Sequence, residues 1–494
     1  MTEQGTHICV VGAGTMGRGI AQVAINAGHL VSLVDPNQHQ LDAAAQDITA
    51  RLSRRNPEAE RLVSERLETA RTITDTPPHA STVVIEAVVE DLAVKQRVFN
   101  DALRHFGASC VLATNTSSLS VTEIAAGTTD PSRVVGMHFF NPVPVMKLVE
   151  VVHGLQSDPV AVRTISDLAS AWGKHVARVR SAPGFIVNRV ARSFYGEALR
   201  LLEEGAASAE TIDALMRTAG QFRMGPFELM DLIGVDVNLT VTRTVWSAYN
   251  YDSRFAPSLM QQELVAAGRF GRKSGQGFYP YSEGAQRTTA QSAKPGSEPP
   301  ATVSLFGTSP QLEGLVARSG VTWSGHESDG IPHLEIPNVG TVMVTRGKTA
   351  QEESLLQGGP VAVIDRCLDP EQVSALAISS TDTSLADSLI ALLGQAGVQA
   401  YPVSDAPGLI VARILSMIAN EAWETAHCGV ASPDDIDEAM VLGTNYPMGP
   451  FQWCAQWGAT NLLETLDALW AEYHDPRYRA SQRLRAHARS SLVH

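Results

Sequence analysis

The run Ile8-Cys9-Val10-Val11-Gly12-Ala13-Gly14-Thr15-Met16-Gly17, continued by Leu30-Val31-Ser32-Leu33-Val34-Asp35, decides the fold. A short apolar strand feeds a GxGxxG turn, a helix is expected over roughly residues 16–27, and a second strand ends on an acid. Gly12 permits the tight turn, Gly14 lets a pyrophosphate approach the backbone, and Gly17 lets the helix pack on the sheet. Thr15 and Met16 open the helix, whose free N–H groups and positive dipole end suit phosphates. Asp35 is placed to accept hydrogen bonds from ribose hydroxyls and to repel a 2′-phosphate, with no Arg or Lys directly after it. The expected cofactor is therefore NAD, not NADP.

Outward from this unit, short β-branched runs alternate with helical stretches as far as residue 182: His7–Val11, Leu30–Val34, Thr82–Ala87, Val111–Thr114, Val134–Phe139 and Leu148–Val152. Such alternation implies an α/β fold with a largely parallel, Rossmann-type sheet covered by helices on both faces. From Pro183 the pattern becomes helical. Phe185 to Glu204 carries apolar residues at three- and four-residue steps, and a second helix over 206–218 has Ser208 as its N-cap candidate. The polar stretch Ser282–Pro300 reads as a linker, and strand-helix alternation returns over 301–400.

The last segment repeats the first helical one. Pro183-Gly184-Phe185-Ile186-Val187 recurs as Pro407-Gly408-Leu409-Ile410-Val411, and Met224-Gly225-Pro226-Phe227 as Met448-Gly449-Pro450-Phe451, both at an offset of 224 residues. Ser432-Pro433-Asp434-Asp435 is a strong helix start, with an N-cap Ser, Pro in the first turn and acids on the dipole. Four segments are expected: an α/β dinucleotide-binding domain (1–182), an all-α domain (183–283), a linker with a degenerate α/β domain (284–403), and a second all-α copy (404–494).

Composition narrows the function. With 38 Lys and Arg against 52 Asp and Glu, the net charge of −14 argues against a nucleic-acid or membrane-surface partner. The five cysteines lack CxxC spacing or His partners, so no metal site and no disulfide framework are expected, and a reducing, cytoplasmic location fits. No window approaches a membrane span.

An enzyme that passes hydride to a nicotinamide needs a base for the hydroxyl proton, and His suits neutral pH. His138 stands near the end of a later strand, where open α/β sheets bind ligands. Glu150, twelve residues on, lies in the otherwise apolar run Leu148-Val149-Glu150-Val151-Val152. A carboxylate there needs a partner, and an imidazole is the obvious one; two unrelated polar residues is the competing interpretation.

The run HFFNPVPVMKLVEVV (138–152), with TNTSSL (114–119), SAPGFIVNR (181–189) and GPFELMDLIG (225–234), resembles the 3-hydroxyacyl-CoA dehydrogenase family. The resemblance implies His138 as general base, Glu150 as its orienting carboxylate, and Ser117 and Asn188 as polar groups around the reacting hydroxyl and thioester. It also implies cofactor contacts at Glu90, Lys95, Asn115, Ser117, Asn141 and Lys273. The implied partner is an acyl-CoA, held at its CoA end by a helical hairpin over 51–71, where Arg51, Arg54 and Arg55 are candidates; a merely solvated charged face is the bland alternative. The narrower likeness points to 3-hydroxyadipyl-CoA, an intermediate of phenylacetate breakdown. Short 3-hydroxybutyryl-CoA and a non-catalytic NAD-binding scaffold stay as alternatives.

At the 224-residue offset Asn188 becomes Ala412, Glu228 becomes Gln452 and Asp231 becomes Ala455. Val303–Ser309 begins like a nucleotide-binding unit, but no GxGxxG or His–Glu pair follows. One active site per chain is expected. The helical copies allow either a homodimer or a monomeric pseudo-dimer.

Overall fold

The glycine-turn unit forms as read: β1 (His7–Val11) is buried along its length and runs into the helix Thr15–Asn26. A computed structural model of the chain describes residues 6–54, 56–79 and 81–490. After β1 come β2 (Val31–Val34), β3 (Leu67–Ala70), β4 (Thr82–Glu86), β5 (Val111–Thr114), β6 (Val134–Phe139), β7 (Leu148–His153) and β8 (His175–Arg180). They form one sheet in the order β3-β2-β1-β4-β5-β6-β7-β8. Neighbours are parallel except β6 and β7, whose antiparallel register sets His138 opposite Glu150. Continuous apolar strands such as β1 and β5 follow from burial on both faces. Ile8, Val10, Leu33 and Ile85 are 0% exposed, each stabilising the fold by about 1.5–3 kcal/mol.

Two strands fall outside the sequence expectation. β3 is half-exposed and polar (Leu-Glu-Thr-Ala), and β8 alternates charged residues with Val and Ala. Both are sheet edges, where one side needs no apolar cover.

The chain divides into two compact units, one of residues 1–189 with 428–444 and one of 190–427 with 445–494. This partition crosses the sequence segments: residues 183–189 and 428–444, read as parts of the two helical copies, fall in the first unit, and the rest of 183–494 forms one unit. The helix Pro433–Thr444, part of the second helical copy, packs on β7 and β8 of the first unit. There the Arg180 N–H donates to the Val430 carbonyl at 2.8 Å. Its expected cap forms, with Ser432 Oγ accepting from the Asp435 N–H at 3.1 Å.

In the second unit, the helices Arg192–Glu203 and Val411–His427, equivalent under the 224-residue offset, pack against each other. Ser208 caps the helix Ala209–Thr218 as expected. The buried Arg413 guanidinium joins the copies, donating from Nε to Glu197 at 2.7 Å and from Nη1 to Glu204 at 3.0 Å. A seven-stranded sheet completes the unit, with β9 (Thr302–Phe306), β10 (Thr322–His326), β11 (His333–Ile336), β12 (Gly340–Val344), β13 (Val361–Ile364), β14 (Ala375–Ser380) and β15 (Gln399–Pro402). Its order is β10-β9-β11-β12-β13-β14-β15.

Candidate active site

The glycine turn is shaped for a ligand that brings its own acceptors. Gly12 has φ +107°, and a Cβ there would sit 2.5 Å from the Ala87 carbonyl oxygen. A Cβ on Gly17 would collide with the Gly12 carbonyl. Gly14 differs: nothing lies within 4 Å of its Cβ position, so the space before it is open. Gly14 is also the N-cap and supplies no side-chain acceptor, which leaves the first N–H groups at Thr15 and Met16 available to a phosphate. Asp35 Oδ2 accepts from the Ala13 N–H at 2.9 Å, tying the end of β2 to the turn. Arg18, which the sequence reading passed over, donates to the Ala13 carbonyl at 2.8 Å and to Gln40, adding positive charge beside the turn. Together these residues fit a dinucleotide.

At the ends of β4 and β5 stands a buried charge network. Lys95 is 1% exposed, and its ammonium meets Glu86 at 2.7 Å and Glu90 at 3.0 Å. Glu86, also absent from the sequence reading, accepts from Thr114 Oγ1 and the Val88 N–H, both at 2.7 Å. Its signal was present: a carboxylate inside Thr-Val-Val-Ile-Glu is as costly to bury as Glu150. Glu90 accepts from Thr116 Oγ1, the Ser117 N–H and the Ser118 N–H and hydroxyl. Burial pushes the Glu90 carboxyl up, but Lys95 and the Thr116 and Ser118 hydroxyls outweigh it and hold it down at about 2. So Glu90 and Lys95 shape the turn that presents Ser117. Ser117 is exposed and is not the cap of the following helix, a task done by Ser120. Asn115 Oδ1 accepts from the Phe139 N–H at 2.8 Å, fixing this turn to the end of β6.

His138 and Glu150 do meet. Nδ1 of His138 lies 2.6 Å from Glu150 Oε2, with the imidazole 6% exposed and the carboxylate 0%. The other carboxylate oxygen, Oε1, accepts from the Ile186 N–H at 2.9 Å and the Val187 N–H at 3.1 Å. These open the short helix Val187–Val190, which carries half-buried Asn188. Gly184 (φ +73°) and Phe185 (φ +50°) turn the chain into it. Glu150 therefore orients the base with one oxygen and anchors the Asn188 turn with the other. Phe140 and Phe185 pack on the imidazole, with ring centroids at 4.6 and 5.7 Å. With Nδ1 held as the N–H donor, Nε2 is the basic nitrogen.

The remaining candidates are placed as follows. Asn141 is exposed just after β6. Lys273 belongs to the second unit and is paired with Asp236 at 2.6 Å. Arg51 and Arg54 are exposed at the C-terminal end of the helix Gln38–Ser53, Arg51 paired with Asp47 at 2.8 Å. The helix Ala59–Arg66 packs on Gln38–Ser53, so the hairpin forms, but from 38 to 66 and not over 51–71, residues 67–70 being the edge strand β3; Arg55 lies outside the described residues. Asp231, lost in the second copy, accepts from the Phe278 and Tyr279 N–H groups at 3.0 Å, so within its unit it holds a loop.

The degenerate sheet explains the loss of the pair. Aligning β14 with β7 puts Ala377 at the place of Glu150 and Asp365, just past β13, at the place of His138. Asp365 itself accepts from the Ile410, Val411 and Ala412 N–H groups. One carboxylate thus keeps the anchoring task in the second copy while the base is gone.

Comparison with known proteins agrees with this geometry. Residues 7–182 match the family model "3-hydroxyacyl-CoA dehydrogenase, NAD binding domain". Residues 184–281 and 408–492 both match the C-terminal domain of that family, and 342–407 match the "3-hydroxybutyryl-CoA dehydrogenase reduced Rossmann-fold domain". The chain is 42% identical to the 3-hydroxyadipyl-CoA dehydrogenase of Escherichia coli, over 97% of each chain. It is 40% identical to the human mitochondrial hydroxyacyl-coenzyme A dehydrogenase, over 56% of this chain and 91% of that one. A crystal structure described as 3-hydroxybutyryl-CoA dehydrogenase from Escherichia coli superposes with a TM-score of 0.89 at 39% identity, covering 99% of both chains.

Proposed function

Because this chain belongs to the 3-hydroxyacyl-CoA dehydrogenase family and is an NAD-dependent oxidoreductase, we propose that His138 is the base of its single active site and 3-hydroxyadipyl-CoA its substrate. The observation that carries the assignment of His138 is the 2.6 Å contact of its Nδ1 with Glu150 Oε2. Gly12, Gly14, Thr15, Met16, Gly17 and Asp35 hold the dinucleotide, with Glu90, Lys95, Asn115, Asn141 and Lys273 as further cofactor residues. Held by these residues, NAD would supply the acceptor for the hydride leaving C3 of the substrate. His138 Nε2 accepts the hydroxyl proton, and Glu150, desolvated behind it, stabilises the imidazolium that forms. Ser117 and Asn188 orient the hydroxyl and thioester, and Phe140 and Phe185 keep water from the ring. Arg51, Arg54 and Arg55 steer the CoA phosphates toward the helical hairpin.

The dicarboxylic substrate is supported by the full-length relative of that name, while the full-length structural relative favours 3-hydroxybutyryl-CoA as the second reading. Steady-state kinetics with both thioesters decides. At least about a tenfold higher kcat/KM for 3-hydroxyadipyl-CoA is expected, a difference of about 1.4 kcal/mol. A preference for 3-hydroxybutyryl-CoA assigns the short substrate instead. Absence of NADH oxidation with acetoacetyl-CoA would return the chain to the scaffold reading.

The packing of equivalent helices around Arg413 supports a monomeric pseudo-dimer, which light scattering tests: a mass near 52.9 kDa is expected and one of twice that size refutes it. Five free cysteines, four of them buried, support a reducing compartment such as the cytoplasm. Among the described residues no helix is long and apolar enough to cross a membrane.

A further inference from the structure

The second unit carries a cavity of about 350 Å³ where the degenerate sheet meets the second helical copy. It opens at the turn from β9 to the helix Pro310–Ser319, the counterpart of the glycine turn, and at the ends of β12 and β13. It therefore occupies the position that an active-site cleft would have in this copy. Its lining has changed in one direction. β12 pairs β13 from Thr341 opposite Val361, and β5 pairs β6 from Leu112 opposite Val134. Counting on from that register, Arg346 falls where Ser117 stands in the first copy, and Arg366 follows Asp365.

Both guanidiniums line the cavity, and among the described residues no carboxylate does. Arg346 is backed by Glu353 at 3.3 Å and Glu464 at 3.6 Å, and its Nε has no hydrogen-bond partner among the described residues. Arg366 donates from Nε to the Thr345 carbonyl at 3.1 Å, and its two terminal nitrogens have no acceptor among the described residues. Asp365, next to it, is occupied by the N–H groups of Ile410, Val411 and Ala412 and by the Arg366 N–H. The Arg366 guanidinium lies over the Trp457 ring, 5.8 Å from its centroid, and the indole N–H is fixed on the Cys367 carbonyl at 3.0 Å; Ile331 and Pro332 add apolar surface to the lining. The unpaired Nε of Arg346 and the terminal nitrogens of Arg366, beside an aromatic ring, suit a planar or alkyl body ending in a carboxylate or phosphate.

We propose that this cleft is a second ligand site, binding a small organic anion through Arg346 and Arg366 with its body against Trp457. The anionic group is shared by two sources, a nucleoside monophosphate and a short dicarboxylate, and the probes separate them. The full chain is labelled with 5-fluorotryptophan, the Trp457 resonance is assigned by Trp457→Phe, and AMP and adipate are titrated separately with NADH saturating the first site.

The expected result is a saturable shift of the Trp457 resonance with at least one probe, weakened at least tenfold in Arg366→Gln. Turnover at the first site should persist in that variant, so failure of this proposal is distinct from failure of the dehydrogenase reading. Should Arg366→Gln not fold, Arg346→Gln, whose side chain is 22% exposed, serves the same purpose. No saturable shift with either probe, or equal affinity in the Arg variant, overturns the proposal.

Discussion

Replacing Glu150 by Gln separates the two tasks of that carboxylate. In the native site Oε2 faces His138 Nδ1 at 2.6 Å, and Oε1 takes the Ile186 and Val187 N–H groups at 2.9 and 3.1 Å. A Gln side chain has the same shape but only one acceptor end. Turning its NH₂ toward the two backbone donors would leave both buried and unpaired, at about 1–3 kcal/mol each. The carbonyl must therefore stay on Ile186 and Val187, and the NH₂ must face His138. Nδ1 then becomes an acceptor, and the imidazole carries its proton on Nε2, where a base is needed.

The outcome is a fold kept and a reaction lost. We expect kcat to fall by roughly 10³–10⁴, the scale of making the orienting carboxylate of a serine protease an amide. The melting temperature should move by less than about 1 °C, under ~1 kcal/mol. Glu150→Ala should instead lose about 2–6 kcal/mol of stability, because both N–H groups are orphaned. The assays are NADH absorbance with acetoacetyl-CoA and thermal unfolding, with NADH fluorescence showing that cofactor still binds. Turnover within tenfold of wild type in Glu150→Gln would refute the tautomer reasoning. A large fall in its melting temperature would refute the division of labour between the oxygens.

Four further outcomes follow from single contacts. Gly14→Ala fits the open space without strain, so stability should hold while KM for NAD rises at least about tenfold through obstruction of the phosphate approach. Gly17→Ala, forced onto the Gly12 carbonyl, should lower the yield of folded protein; the two are read by melting curves and NAD titration. Burial, then the charge of His79, lowers the His7 pKa from 6.5 to about 4. The unfolded chain thus binds the proton first: stability is full above about pH 6.5 and falls by about 3 kcal/mol as pH drops to about 4, a slope that denaturant titration should find missing in His7→Gln. Arg413→Ala leaves Glu197 buried without its ion pair and should destabilise the second unit by about 3–5 kcal/mol, measured by urea unfolding.

Much of this molecule was legible in sequence because its physics is local. Gly12 has the positive φ its tight turn was expected to need, Gly17 is required by the Gly12 carbonyl more than by the sheet beneath it, and Glu150 betrayed itself as a carboxylate in an apolar strand. The same signal stood at Glu86 and at Asp365, which ends the run Val361–Ile364, and it passed unread because neither has a motif around it. The edges β3 and β8 were illegible for a different reason. Four of their ten residues are exposed, so the apolar pattern that marks a strand is diluted. Arg413 with Glu197 is legible only through the repeat, since ion pairs between distant segments leave no local pattern. The placement of Pro433–Thr444 on the first sheet is likewise a matter of tertiary packing that repeat boundaries do not encode.

The most direct test is single-turnover oxidation of a 3-hydroxyacyl-CoA by His138→Gln at saturating NAD. The imidazole's removal should slow NADH formation by at least about a thousandfold with the NAD dissociation constant unchanged. NADH appearing at the native rate would show that proton removal runs through some other group.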